Sequence, residues 1–169
     1  VRTTFQPDTT LVKSMARLGL TFEVEDAYDH ITYLGRGEHE TYIDRNQSGK
    51  IGIYETTPER MFHYYVVPQS TGNRTDVRWM KLTDDAGKGC WVESDSPFQF
   101  STIAFPDVMV EKARHINELE RNGKITVHLD AKQAGVGTAT CGPGVQSQYL
   151  VPLTKQTFDF IIYPVKNRE

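Results

Sequence analysis

Apolar and polar residues alternate with period two along most of this chain. In LGLTFEVE (18–25), Leu18, Leu20, Phe22 and Val24 fall on one side, and Gly19, Thr21, Glu23 and Glu25 on the other. That is the pattern of a half-buried strand. KITVHLD (124–130) repeats it with Ile125, Val127 and Leu129. The runs at 61–67 (MFHYYVV), 75–83, 89–94, 98–103 and 157–163 are aromatic or β-branched and bounded by turn residues, and they predict further strands. Turns are signalled by Gly72-Asn73, Asp84-Asp85-Ala86-Gly87 and Asn122-Gly123. One segment departs from the pattern. In DVMVEKARHINELERNG (107–123), Met109, Ala113, Ile116 and Leu119 recur at helical spacing. It predicts a short helix near 107–121, with Asp107 as N-cap and Gly123 just past the C-terminus. Seven or more strands and one helix predict an all-β, antiparallel sandwich or barrel. No repeat or linker divides residues 1–169, which read as a single domain.

Composition narrows the field. The chain has 169 residues, a formal net charge of −3 and a pI near 6.0. No Lys/Arg-rich run marks a nucleic-acid or anionic-membrane partner, and no apolar run is long enough to span a bilayer. The opening VRTTFQPDTT has no apolar core of the kind a secretory signal carries. Cys90 and Cys141 do not make a disulfide framework and read as free thiols. His30, His39, His63, His115 and His128 show no metal-binding spacing, so neither metal nor cofactor is expected. His115 is expected on the helix surface.

Three stretches hold candidate chemistry. LGRGEHETYIDR (34–45) crowds Glu38, Glu40 and Asp44 together. Glycosidases hold two carboxyl groups about 5–5.5 Å apart (retaining) or about 6.5–9.5 Å apart (inverting). Residues two apart on an extended chain share a face, with Cα atoms roughly 6.5–7 Å apart, so Glu38 and Glu40 can form such a pair. The competing reading is structural: Gly35 and Gly37 make a tight turn at positive φ, while Asp44 and Arg45 bond locally or cap a neighbouring loop. The second stretch, GVGTATCGPG (135–144), is glycine-rich but has no lysine of a phosphate loop and no βαβ context. Cys141 has no nearby basic residue to make it a nucleophile. The third is a set of aromatic residues, Tyr64, Tyr65, Trp79 and Trp91, which can stack on sugar rings or simply pair across strands.

These stretches line up with a family. LGRGEHETYIDR resembles the Leu-Gly-x-Gly-Pro-x-Glu-x-Tyr-x-Asp-Arg stretch in the C-terminal domain of bacterial β-galactosidases of glycoside hydrolase family two. Gly35, Gly37, Glu40, Tyr42, Asp44 and Arg45 match, and Glu38 stands where the family usually has proline. YYVVPQSTGNRTDVRWMKL (64–82) is similar to the same domain at Tyr65, Pro68, Gln69, Gly72, Asn73, Arg74, Arg78 and Trp79, with Ser70 in place of a usual glutamate. The matches run in order from about residue 18 to residue 163. The resemblance implies an antiparallel β-supersandwich of the galactose mutarotase-like kind. It also implies that residues 1–169 correspond to the C-terminal part of that domain, N-terminally truncated. Sheet edges left unpaired would then invite a homodimer.

The family's acid/base and nucleophile glutamates sit on a barrel domain, so no catalytic residue is expected in this chain. The expected partners are the remaining domains of a parent glycosidase and, in the full enzyme, a β-galactoside substrate. In the family the Gly-rich loop near the end of this domain reaches the active-site rim and carries a tryptophan. Aligned with it, Thr140, Cys141 and Gly142 fall at the rim, with Cys141 at the tryptophan position and the loop one residue shorter. Two other functions stay open: a free-standing carbohydrate-binding or aldose-epimerase-like module, and a purely structural interaction domain. An epimerase needs a His/Glu pair facing one pocket, for which His39 with Glu38 or Glu40 is the available set.

Overall fold

The computed structural model describes residues 1–8, 12–137 and 142–166. Among these residues eleven strands run in the order β1 (Arg2–Phe5), β2 (Ser14–Met15), β3 (Arg17–Glu25), β4 (His30–Gly37), β5 (Lys50–Thr56), β6 (Arg74–Thr83), β7 (Gly89–Ile103), β8 (Lys124–Gln133), β9 (Val151–Pro152), β10 (Gln156–Asp159) and β11 (Ile161–Val165). Two short helices, α1 (Pro58–Met61) and α2 (Asp107–Lys112), interrupt them. Among the described residues the main sheet is antiparallel with seven strands: six in the order β3-β8-β7-β6-β4-β5, and β11 paired with the first part of β7. Two two-stranded ribbons, β1-β10 and β2-β9, complete the fold. The expected all-β, antiparallel class is the one observed.

The alternation places the core. Tyr33, Met80, Val92, Phe100, Val127 and Leu129 project from neighbouring strands of the main sheet into one apolar cluster. The β1-β10 ribbon closes over it through Phe158 and Phe160, and the Phe160 ring meets Phe98 edge-on at 5.5 Å. The opposite face of the sheet is covered over β8 as well. There Thr126, His128 and Asp130 are buried beneath the chain that follows β7. Thr126 donates to the Phe105 carbonyl, and Phe62, Ile103, Phe105 and Val110 form a second, smaller core.

Several expectations are corrected. Residues 107–121 do not form one helix. α2 ends at Ala113, whose φ of −66° and ψ of 136° are extended, and a single 3-10 turn follows at Ile116–Glu118. The Glu118 carboxylate accepts the Arg114 N–H at 2.9 Å and contacts His115 at 2.8 Å, so a side chain supplies there what the helix would have bonded. Pro106, not Asp107, holds the N-cap position, and the Asp107 carboxylate is spent on His128 instead. Residues 61–67 are not a strand. Thr57 caps α1 by accepting the Arg60 N–H, Pro58 opens it, and residues 62–73 run irregularly around a buried Pro68. The runs at 89–94 and 98–103 are one 15-residue strand, and 157–163 splits into β10 and β11 around the buried Phe160.

The glycines of the 34–45 stretch also differ from expectation. Gly35 and Gly37 make no turn of positive φ but lie within β4. They are needed for close approach. A Cβ on Gly37 would fall 2.5 Å from the Tyr33 hydroxyl and 2.8 Å from the Tyr54 ring. The Gly37–Glu38 peptide that ends the strand is cis. β4 and β5 were not anticipated, because glycines interrupt the alternation of both. Phe100 sits at the centre of the core with no exposure. Phe100→Ala is expected to lower stability by about 3–5 kcal/mol, measured by denaturant unfolding.

Candidate functional site

After β4 the chain enters a compact polar knot centred on Glu40. The carboxylate accepts from the Tyr65 hydroxyl (2.5 Å), the Arg45 guanidinium (2.5 Å), the Thr71 hydroxyl (2.7 Å), the Gly72 N–H (3.0 Å) and the Tyr42 hydroxyl (3.2 Å). The Glu40 side chain is only 14% exposed. Burial alone would push its carboxyl up. The donors from Tyr65, Gly72, Thr71 and Arg45 outweigh it and bring the pKa down to about 2. The Tyr42 hydroxyl shifts the other way, raised by its own burial and by the Glu40 charge.

The residues around Glu40 are held by backbone geometry. Tyr42 and Arg45 exchange two backbone hydrogen bonds (3.1 and 2.8 Å), making a tight turn with Ile43 and Asp44 at its tip. The Arg45 guanidinium lies over the Tyr42 ring at 5.3 Å. Thr41 ties the turn to the main sheet. Its N–H donates to the Asn73 carbonyl at 2.8 Å, and its hydroxyl accepts the Thr75 N–H at 3.0 Å. Arg74 is 2% exposed and donates to the Tyr33 hydroxyl and to the carbonyls of Gly72, Asn73 and Glu38. Gly72 sits at φ 78°, and a Cβ there would fall 2.4 Å from the Met61 carbonyl oxygen.

From the tip of the turn Asp44 reaches a distant loop. Its carboxylate accepts the N–H groups of Val136 (3.1 Å) and Gly137 (2.8 Å). Arg45 is thus bonded locally to Glu40, and Asp44 caps the distant loop. The alternative carboxylate pair is not assembled: Glu40 is half-buried and fully engaged, while Glu38 is exposed. Nor does the expected pair of His39 with Glu40 form. His39 contacts Ser48 at 2.8 Å, His63 packs against the Tyr65 ring, and none of the five donors to Glu40 is a histidine.

Of the remaining expected positions, Arg78 is exposed and donates to the Asp76 carbonyl. Trp79 and Trp91 stack on each other at 4.4 Å and 19°, with Tyr163 continuing the row, so the two indoles occupy each other's ring faces. Gly142 is exposed. Thr140 and Cys141 lie outside the described residues. Cys90 is a free thiol, raised in pKa by burial. Among the described residues no group of three or more His, Cys, Asp or Glu is placed to hold a metal ion.

The chain matches the family described as β-galactosidase small chain over residues 1–162. It belongs to that family. The chain is 32% identical over 145 residues to a β-galactosidase of Kluyveromyces lactis, which covers 85% of the chain and 14% of the relative. It is 35% identical over 139 residues to one of Bifidobacterium adolescentis (79% and 13%) and 32% identical over 120 residues to one of Priestia megaterium (71% and 12%). It therefore spans roughly an eighth of the length of these relatives.

Two features carry no signal as single residues, one in the knot and one outside it. Thr71 donates to Glu40 but reads as one more loop threonine. His128, Asp107, Arg17 and Asp130 form a second polar cluster beneath α2: His128 meets Asp107 at 3.1 Å and Thr21 at 3.1 Å, and Arg17 meets Asp130 at 2.6 Å. Burial pushes the Asp130 carboxyl up, against the lowering pull of Arg17. Strand alternation marks His128 and Asp130 as outward-facing, and nothing in the sequence shows that this face is covered.

The Glu40 knot makes a pH prediction. A carboxyl at about 2 when folded and about 4.3 when unfolded contributes stability that is complete above about pH 5 and lost as pH falls toward 2. Glu40→Gln is expected to cost about 3 kcal/mol at pH 7 and to flatten the decline between about pH 5 and 2. Denaturant midpoints across that range measure both effects.

Proposed function

We propose that this chain is the C-terminal part of the supersandwich domain of a retaining glycoside hydrolase acting on terminal β-galactosides. In this reading it completes the active-site rim and the subunit structure, and it is inactive alone. The family match over residues 1–162 carries the proposal. The state of the carboxylates supports it. Glu40 has every available position filled by donors from its own chain, and Asp44 is occupied by two backbone N–H groups. Neither is poised to attack or to protonate a glycosidic oxygen, which agrees with chemistry located on another domain.

The surface agrees as well. The chain exposes 10266 Å², against about 8,400 Å² for a compact monomer of its mass. Part of the excess is apolar: Ile51 and Ile53 on β5 and Ile161 and Tyr163 on β11 are all more than 40% exposed. The outer edge of β5 has no strand beside it among the described residues. Both are surfaces that other domains of a parent enzyme, or a second copy, would cover.

A panel of aryl glycosides tests the reading. The full-length protein is expected to hydrolyse aryl β-galactosides with retention at the anomeric carbon, and the 169-residue chain alone to leave them intact. Turnover by the chain alone, or a full-length protein that binds galactosides without cleaving them, would contradict it.

A further inference from the structure

We propose that Asp44 is a positioning residue that pins the base of the Gly-rich loop and thereby sets the substrate rim. The pin stands on geometry; the consequence for substrate rests on the function proposed above. The carboxylate accepts two successive backbone N–H groups, those of Val136 and Gly137, across 92 and 93 residues of chain. Successive N–H groups with a positive φ beside them form an anion cradle, and Gly137 has φ 60°. Here the anion is a side chain of the protein itself.

The fit leaves no slack. A Cβ on Gly135 would fall 2.4 Å from Asp44 Oδ2, 2.5 Å from its Cγ and 2.8 Å from Oδ1. Any residue other than glycine would expel the carboxylate. The two limbs of the loop also meet at this point. Gly135 donates its N–H to the Tyr149 carbonyl at 2.9 Å, and a Cβ on Gly137 would fall 2.8 Å from the Val145 nitrogen. Between the limbs and the pin lies an open cleft of about 350 Å³, lined by Asp44, Arg45, Val136, Gly137, Gln146 and Tyr149.

Asp44 is itself fixed from the other side. It sits at the tip of the Tyr42–Arg45 turn, whose backbone bonds and Arg45–Glu40 ion pair do not involve the loop. A chain of contacts therefore joins the half-buried Glu40, through Arg45 and the turn, to the loop base. Asp44→Asn is the near-isosteric test. The amide keeps one acceptor but turns an NH2 toward a backbone N–H, so one of the two bonds is lost and a donor faces a donor.

The experiment uses the full-length protein with two variants, Asp44→Asn and Gly135→Ala. The second displaces the carboxylate without altering it, and stands in if the first fails to fold. Hydrogen–deuterium exchange of a peptide spanning residues 134–146 is expected to speed up about tenfold or more at Val136 and Gly137, with β8 before residue 131 unchanged. KM for an aryl β-galactoside is expected to rise several-fold with a smaller change in kcat, whereas loss of folded enzyme would lower kcat alone. Unchanged exchange in both variants overturns the pin. Faster exchange with unaltered KM keeps the pin and overturns the rim reading.

Discussion

Glu40 is a carboxylate largely withdrawn from water, and the arrangement of two separate stretches of chain follows from how its charge is compensated. An isolated buried carboxylate is far too costly to keep ionised. This one stays ionised because five donors converge on it: Tyr42 and Arg45 from its own turn, and Tyr65, Thr71 and Gly72 from the irregular segment after α1. A hydrogen bond to a charged group contributes about 1.5–3 kcal/mol, roughly twice a neutral one, so several of them outweigh the desolvation. Residues 62–73 have no strand partners of their own. Their path is set by the requirement to bring Tyr65, Thr71 and Gly72 within reach of one side chain.

That requirement also fixes what the chain can do. A carboxylate held at about 2 and saturated with donors is a poor acid, base or nucleophile at neutral pH. The same rigidity makes it a good foundation. Arg45 leaves the knot still bound to it, Asp44 stands beside Arg45, and the loop base rests on Asp44. Glu40 and Asp44 therefore serve as architecture.

Much of this was legible. Alternation in 18–25 and 124–130, and the β-branched and aromatic run at 75–83, place β3, β8 and β6. The motif residues Glu40, Tyr42, Asp44 and Arg45 were singled out together, and the structure does bring them together. What escaped was non-local. β4 and β5 are hidden because Gly35, Gly37 and Gly52 interrupt the apolar pattern where Val77 (at Gly35) and the Tyr33 and Tyr54 side chains (at Gly37 and Gly52) need room. The 107–123 segment has helical spacing, yet it is broken at Ala113, where the Glu118 carboxylate takes the Arg114 N–H. Residues 61–67 have the composition of a strand, but Phe62 is taken by the small core and the Tyr65 hydroxyl by Glu40, partners that lie far away in sequence.

The most direct test of the account is a double-mutant cycle between Glu40→Gln and Tyr65→Phe, read as denaturant unfolding free energies at neutral pH. If Glu40 holds the 62–73 segment in place, the two changes will fall short of additivity by about 1–3 kcal/mol, because each removes the same interaction. Additive losses, with no coupling between residues 25 positions apart in sequence, would contradict it.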